Sequence, residues 1–216
     1  MEIALGIITG IICIVELIFC FLEKEKLRKI IKPFCLIFLI LFLLSLKLKN
    51  VYVYAALIFG LIGDIFLIFK KKHKMLFLLG AFAFLIGHAF YIFTFANLLS
   101  FPIPEYVIVG LVIVGFFTPL IPYKLCYRHT KSFTIPLAIY GYILVLECAL
   151  AIVLAVDSGS IFALLIGIGN FLFIVSDTLI FVSLFIKDFK RRDFYIMLTY
   201  LLAQSLMSIG LTLLLR

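Results

Sequence analysis

Two acidic residues stand inside runs that are otherwise apolar: Asp64 in the segment from Phe59 to Phe69, and Asp177 in the segment from Phe171 to Phe181. A carboxylate in hydrocarbon costs about 2.5–3.5 kcal/mol even on insertion scales, so such a residue normally faces a protein interior or a watery cavity and marks a functional site. Two acids in one low-dielectric pocket cannot both ionise easily. One then serves as proton donor while the other acts as base or charge stabiliser. That division suits acid-catalysed cleavage through an oxocarbenium-like cation, as in glycosidases.

Other polar residues share helix faces with one another. His88 and Tyr91 are three apart, Tyr200 and Gln204 four apart, and Asn170 and Asp177 seven apart. Tyr140 lies seven before a further acid, Glu147. Each spacing brings its pair to one side of a helix. Gly60, Gly63, Gly80 and Gly87 flank the acid and the histidine and would let helices approach closely. The plainer reading of any one His, Tyr or Gln is an interhelical hydrogen bond. For Glu16 it is snorkelling, or pairing with Lys24 or Lys26.

Other chemistries find little support. Of the three histidines, His73 and His129 fall in or at basic loops and only His88 lies in mid-span. With no HExxH and no histidine pair at ligand spacing, no metal is expected, though a carboxylate-only divalent site stays open. Neither a GxSxG elbow, a Cys–His pair nor a phosphate-cradling glycine loop is evident, and no cofactor is expected. Cys13, Cys20, Cys35, Cys126 and Cys148 are odd in number and sit in or at the ends of apolar runs, where they read as small apolar side chains.

The elements that must position these residues are membrane helices. The 216-residue chain is 66% hydrophobic and 14% charged, against roughly 45–50% and about 25% in soluble domains. Its mean hydropathy is +1.34. A span needs about 20 residues. Eight are expected: Leu5–Leu22, Pro33–Leu48, Val51–Phe69, Met75–Leu98, Glu105–Tyr123, Phe133–Val156, Ile161–Ile186 and Phe194–Leu215. A seven-span reading merges or demotes the short second one. The fold class is all-α, a polytopic membrane helix bundle forming one domain over residues 1–216. The first run lacks a basic leader and a cleavage site, so it reads as a helix and not a signal peptide.

Charge gives an orientation. Sixteen of the nineteen basic residues lie after spans one, three, five and seven. The positive-inside rule makes that face cytoplasmic and puts both termini outside. The net charge of +8 is then topological and implies no nucleic acid. At a rise of about 1.5 Å per residue from the cytoplasmic ends, Asp64, Tyr200, Asp177 and Gln204 lie about 8, 9, 14 and 15 Å deep, and His88 and Tyr91 about 20 and 24 Å. These depths allow one shared pocket. Asp64 to Tyr91 and Asp177 to Gln204 are both 27 residues apart. The halves read either as parallel four-helix repeats or as chance likeness in apolar sequence.

The ordered set of residues resembles the YhhN-like membrane family, whose characterised members are lysoplasmalogenases. The resemblance rests on Lys32-Pro33, Gly60-Leu-Ile-Gly-Asp64 with Leu67, Phe77-x-x-Gly80 with His88-x-x-Tyr91, Tyr140, Phe173-x-x-Ser176-Asp177, and Tyr200-x-x-x-Gln204. It covers nearly the whole chain. It implies hydrolysis of the vinyl ether bond of a lysophospholipid, giving a fatty aldehyde and a glycerophospho-ethanolamine or -choline. Asp64 and Asp177 would divide the acid and base roles, in an order left open. His88, Tyr91, Tyr200, Gln204, Asn170, Ser176, Tyr140 and Glu147 would orient water or hold substrate.

Two other function classes fit the same residues. Midplane acids in a glycine-rich interior would also serve a proton-coupled transporter or a lipid-binding protein. A structural subunit would use its Phe-rich exterior to bind other membrane proteins. The partners expected are the lysophospholipid and membrane lipids, with the oligomeric state open. A composition rich in Lys and Ile suits an AT-rich prokaryote, hence its plasma membrane.

Overall fold

A computed structural model of the chain describes residues 1–69, 74–101 and 134–215, with isolated positions 105, 108–110, 113 and 117. Among the described residues there are seven α-helices and no strands: α1 Glu2–Phe21, α2 Glu25–Ser45, α3 Val51–Ile68, α4 Lys74–Leu98, α5 Thr134–Ser158, α6 Ile161–Phe181 and α7 Arg192–Leu214. A π-helical turn, Val182–Ile186, extends α6. Six of them, all but α2, are long and apolar enough to cross a membrane. The expected helix bundle is therefore observed. The fifth span expected at Glu105–Tyr123 falls largely outside the described residues, and so does the four-by-four repeat that depends on it. His73, Cys126 and His129 also lie outside them.

The second helix departs from its expected bounds. It begins at Glu25 and not at Pro33, so Lys26, Arg28, Lys29 and Lys32 ride on helical turns and not in a loop. A hydropathy reading ends a span where charge begins. These charges are tolerated because they find partners: Lys29 pairs with Glu25, Arg28 with Asp193, and Lys32 with Asp64. Pro33 sits inside the helix, where it removes one backbone donor without ending it.

Consecutive helices pack as neighbours from α1 to α4, α4 meets α5, and α5 to α7 continue the series. The last helix also touches α1 and α2. Of the apolar stretch of α7, 61% is buried, against 17–33% in the other five apolar helices, which makes α7 the central post. Polar residues on it therefore face protein on most sides. At the end away from the basic loops, the Ser100 backbone N–H donates to Asp157 Oδ2 at 2.7 Å and ties the end of α4 to that of α5.

Glycine sets the closest approaches. A Cβ on Gly63 would lie 3.1 Å from the Gly80 carbonyl oxygen, and one on Gly80 would lie 3.3 Å from that of Gly63. Thus α3 and α4 meet backbone to backbone, as small residues allow in membrane bundles. A second such contact, not singled out from sequence, joins α6 to α7. There a Cβ on Gly169 would fall 2.7 Å from Met207 Cγ and 2.9 Å from the Ala203 carbonyl oxygen. Two residues away, Gly167 has nothing within 4 Å.

Gly169→Ala should therefore destabilise the purified protein by about 1–3 kcal/mol, the usual cost of overpacking. Gly167→Ala should be neutral or slightly stabilising, since alanine is the better helix former. Thermal unfolding in detergent separates the two. Equal midpoints for both variants would contradict the close α6–α7 contact.

Candidate active site

Asp64 sits one turn before the end of α3 and is almost fully buried. Its carboxylate has two partners, one for each oxygen. Lys32 Nζ from α2 lies 2.9 Å from Oδ1, and the Tyr200 hydroxyl from α7 donates to Oδ2 at 2.8 Å. The matching depths expected for Asp64 and Tyr200 are realised as this bond. One turn along α7, Gln204 Oε1 accepts from the Tyr91 hydroxyl of α4 at 3.2 Å. Gly60 makes room for both α7 side chains: a Cβ there would lie 3.7 Å from Gln204 Nε2 and 3.8 Å from the Tyr200 hydroxyl.

Asp177 belongs to a second cluster. The Tyr140 hydroxyl of α5 donates a short hydrogen bond to Asp177 Oδ2. Tyr140 also lies 3.5 Å from His88 Nε2, and His88 Nδ1 is 2.5 Å from Glu147 Oε2. The donor roles of His88 follow its tautomer. A continuous chain therefore runs Glu147–His88–Tyr140–Asp177, from a fully enclosed carboxyl to a half-buried one. Phe173 packs edge-on against the His88 ring at 4.5 Å and fixes its plane. Among the described residues no cation ion-pairs Asp177, whereas Asp64 has Lys32.

Asp177 is half-buried because it faces a cavity. A space of about 660 Å³ opens between α4, α5 and α6, within the roughly 300–1,000 Å³ typical of small-molecule sites. Its described lining is apolar, including Phe77, Ala81, Leu85, Leu144, Ile174 and Phe181, apart from Tyr140, Asp177 and Thr178. Along α6 it reaches from Ile174 to Ile186, about 18 Å at ~1.5 Å per residue. It is a slot for an aliphatic chain with a carboxyl and a phenol on its wall, and Leu85, Leu144 and Ile174 line it further in.

The two clusters stand back to back. Phe84 lines the cavity on one side and packs against Phe173 and Tyr200 on the other. Phe173 likewise bridges His88 and Tyr200.

Eight of the ten residues singled out from sequence join one cluster or the other. Asn170 and Ser176 do not. Asn170 donates to the Ile166 carbonyl of its own helix, and Ser176 donates to the Ile196 carbonyl of α7. Ser176 lies on the α6 face turned to α7, and Asn170, two turns from Asp177 along α6, is not among the residues that line the cavity. Lys32 was missed as a site residue because it was counted with the topogenic loop charges. Its signal was present: Lys32, Leu36, Leu39 and Leu43 form one buried helical stripe. Among the described residues no group of three His, Cys, Asp or Glu side chains is placed to hold a metal ion.

Residues 27–211 match the sequence profile of the YhhN family. No curated protein and no solved structure is matched by the chain.

Removing one partner of a buried ion pair leaves the other charge uncompensated, at a cost of about 3–5 kcal/mol. Lys32→Met alone should therefore destabilise the protein more than Lys32→Met combined with Asp64→Asn. Chemical denaturation of the four members of that cycle in detergent measures the coupling. Strict additivity would mean that the pair is not formed in the membrane-extracted protein.

Proposed function

The chain belongs to the YhhN family, the lysoplasmalogenase family, and on that premise we propose that it is a multi-pass membrane hydrolase that cleaves the vinyl ether bond of a lysoplasmalogen. The products are a fatty aldehyde and glycerophospho-ethanolamine or -choline. The observation that carries this reading is the placement of Asp177 and Tyr140 on the wall of a largely apolar cavity that continues inward past them. A single-chain ether lipid brought there sets its reactive double bond beside a carboxyl.

The steps follow from the substrate. Asp177 transfers a proton to the β-carbon of the vinyl ether, which leaves an oxocarbenium ion at the α-carbon. Water adds to that carbon and gives up a proton. The hemiacetal collapses to aldehyde and releases the glycerol oxygen as an alcohol. General acid–base assistance of this kind contributes about 10²–10⁴-fold. Tyr140 holds the Asp177 carboxyl in place, and the His88–Glu147 pair sets the proton available to Tyr140. Asp64, a carboxylate paired with Lys32, provides the negative field that favours the cation, while the Asp177 carboxylate, having given up its proton, takes one back from the attacking water. Of the two acids, whose order the sequence leaves open, this reading makes Asp177 the proton donor. The lipid enters sideways from the bilayer, and the basic end, which this reading sets in the cytoplasm, meets its headgroup.

Aldehyde release from lysoplasmalogen by purified protein tests the assignment. Asp177→Asn and Asp64→Asn should each lose at least about 100-fold in kcat; Asp177→Asn should elute and melt as folded protein, and Asp64→Asn should elute folded but melt lower, since Lys32 is left unpaired. Ala81→Trp, which fills the cavity without touching either acid, should raise KM for long chains more than for short ones. Near-normal turnover by Asp177→Asn would overturn its role as the acid.

A further inference from the structure

Topology accounts for the sixteen basic residues at one end of the bundle; the other three are Lys47, Lys49 and Arg216. Cations are disfavoured at that second end, so two of them flanking one residue of a short loop need a reason. The loop joins α2 to α3, and it is firmly built. The Lys47 N–H donates to the Leu44 carbonyl at 3.0 Å and the Leu48 N–H to the Leu43 carbonyl at 3.4 Å, the Schellman closure of a helix. Lys47 takes the left-handed position, at φ 60°, where glycine is the usual residue. Leu48 is buried in the core, and the Tyr54 hydroxyl donates to its carbonyl at 3.0 Å. Asn50 then caps α3 by accepting from the Tyr52 and Val53 N–H groups.

With Leu48 turned inward, both lysines border one cavity of about 580 Å³ between this loop and the end of α7. Val51, Tyr52, Thr212 and Leu215 complete the wall. Its lining mixes charge with apolar surface, unlike that of the cavity beside Asp177. The Thr212 hydroxyl is spent on the Ser208 carbonyl, and Asn50 takes two amides of the first turn of α3. The charged donors offered to a ligand are therefore the two ammonium groups. Among the described residues neither lysine pairs with a carboxylate, so one anion between them would neutralise both. The level is that of lipid headgroups, where helices end. Tyr52, packed edge-on against Phe93 of α4 at 4.6 Å, is an aromatic of the interfacial kind.

We propose that this cavity binds the phosphate of an anionic phospholipid from the leaflet at that end, with Lys47 and Lys49 on the phosphate oxygens and Val51 and Leu215 beside the glycerol. Lysine meets phosphate as a point charge. At a membrane surface each lysine adds roughly fivefold to the affinity for anionic lipid. The site stands at the other end of the bundle from the Asp177 cavity and is independent of the hydrolase reading.

The chain has no tryptophan, so Val51→Trp, at an exposed position on the cavity wall, supplies a single fluorescent reporter. The whole protein carrying it is reconstituted in vesicles of phosphatidylcholine and phosphatidylglycerol, with bromine on the chains of one lipid or the other to quench the indole it touches. Phosphatidylglycerol should be favoured at this reporter by at least about fivefold. The preference should fall to parity when Lys47→Gln and Lys49→Gln are added; both side chains are exposed, so the fold should stand. Ile161→Trp, an exposed reporter at the start of α6 and at the same end, should show parity throughout. Parity at the Val51→Trp reporter with both lysines present would overturn the proposal. So would a preference that survives the glutamine pair, or an equal one at the Ile161→Trp reporter. Inorganic phosphate, added against chloride at matched ionic strength, should leave the preference in place. Its loss would assign the cavity to free phosphate and overturn the lipid as occupant.

Discussion

Charge inside an apolar bundle must be matched, and the pairing of Lys32 with Asp64 is the match on which the rest of the interior depends. It requires α2 to start early enough to carry a lysine inward and to be held against α3 at that level. It requires α7 to present Tyr200 to the second carboxylate oxygen. Three helices are thereby set in mutual register around two groups that would each be costly alone. Buried ion pairs rarely stabilise a fold better than apolar residues of the same size. Retaining one here argues that the negative field itself is what the bundle keeps.

The second acid is treated in the opposite way. Asp177 is given a phenol and, among the described residues, no ion-pairing cation, and it is turned toward open space. The difference originates in the helices around it. α7 fills the middle of the bundle and can enclose Asp64 from behind, whereas α4, α5 and α6 leave room between them for a chain-shaped cavity. Two carboxyls of identical chemistry thus acquire different duties from packing alone. Phe84 and Phe173, packed on each other and on Tyr200, stand between the two clusters.

The sequence exposes most of this arrangement, and the gaps have definite causes. Apolar run length is a one-dimensional signal, so the spans appear within a few residues wherever a run ends in charge that faces water. It fails at α2, where charge continues inside and is neutralised by residues far along the chain. Helical spacing correctly puts Tyr140 with Glu147, and Tyr200 with Gln204, on shared faces. It says less for Asn170, which is seven before Asp177 but spends its amide on its own helix, since a shared side does not bring two turns to the same neighbours. Which acid faces a cavity has no local signal at all, because it depends on how three other helices leave space.

Glu147 shows why such a site is hard to read residue by residue. It lies away from the cavity lining and spends one oxygen on a 2.5 Å contact with His88. His88 in turn reaches the cavity only through Tyr140. A carboxyl so fully enclosed makes little sense as an isolated interhelical bond, since a neutral amide would hold the same position at lower cost. It makes sense as the far end of a polar chain whose near end is Asp177. Such chains strengthen their members in a low-dielectric interior, and they let a proton be replaced from within the protein when the cavity side is closed by lipid. The apolar cavity and the polar chain behind it are therefore complementary parts: the first excludes water from the alkenyl group, and the second restores to the acid what the first keeps out.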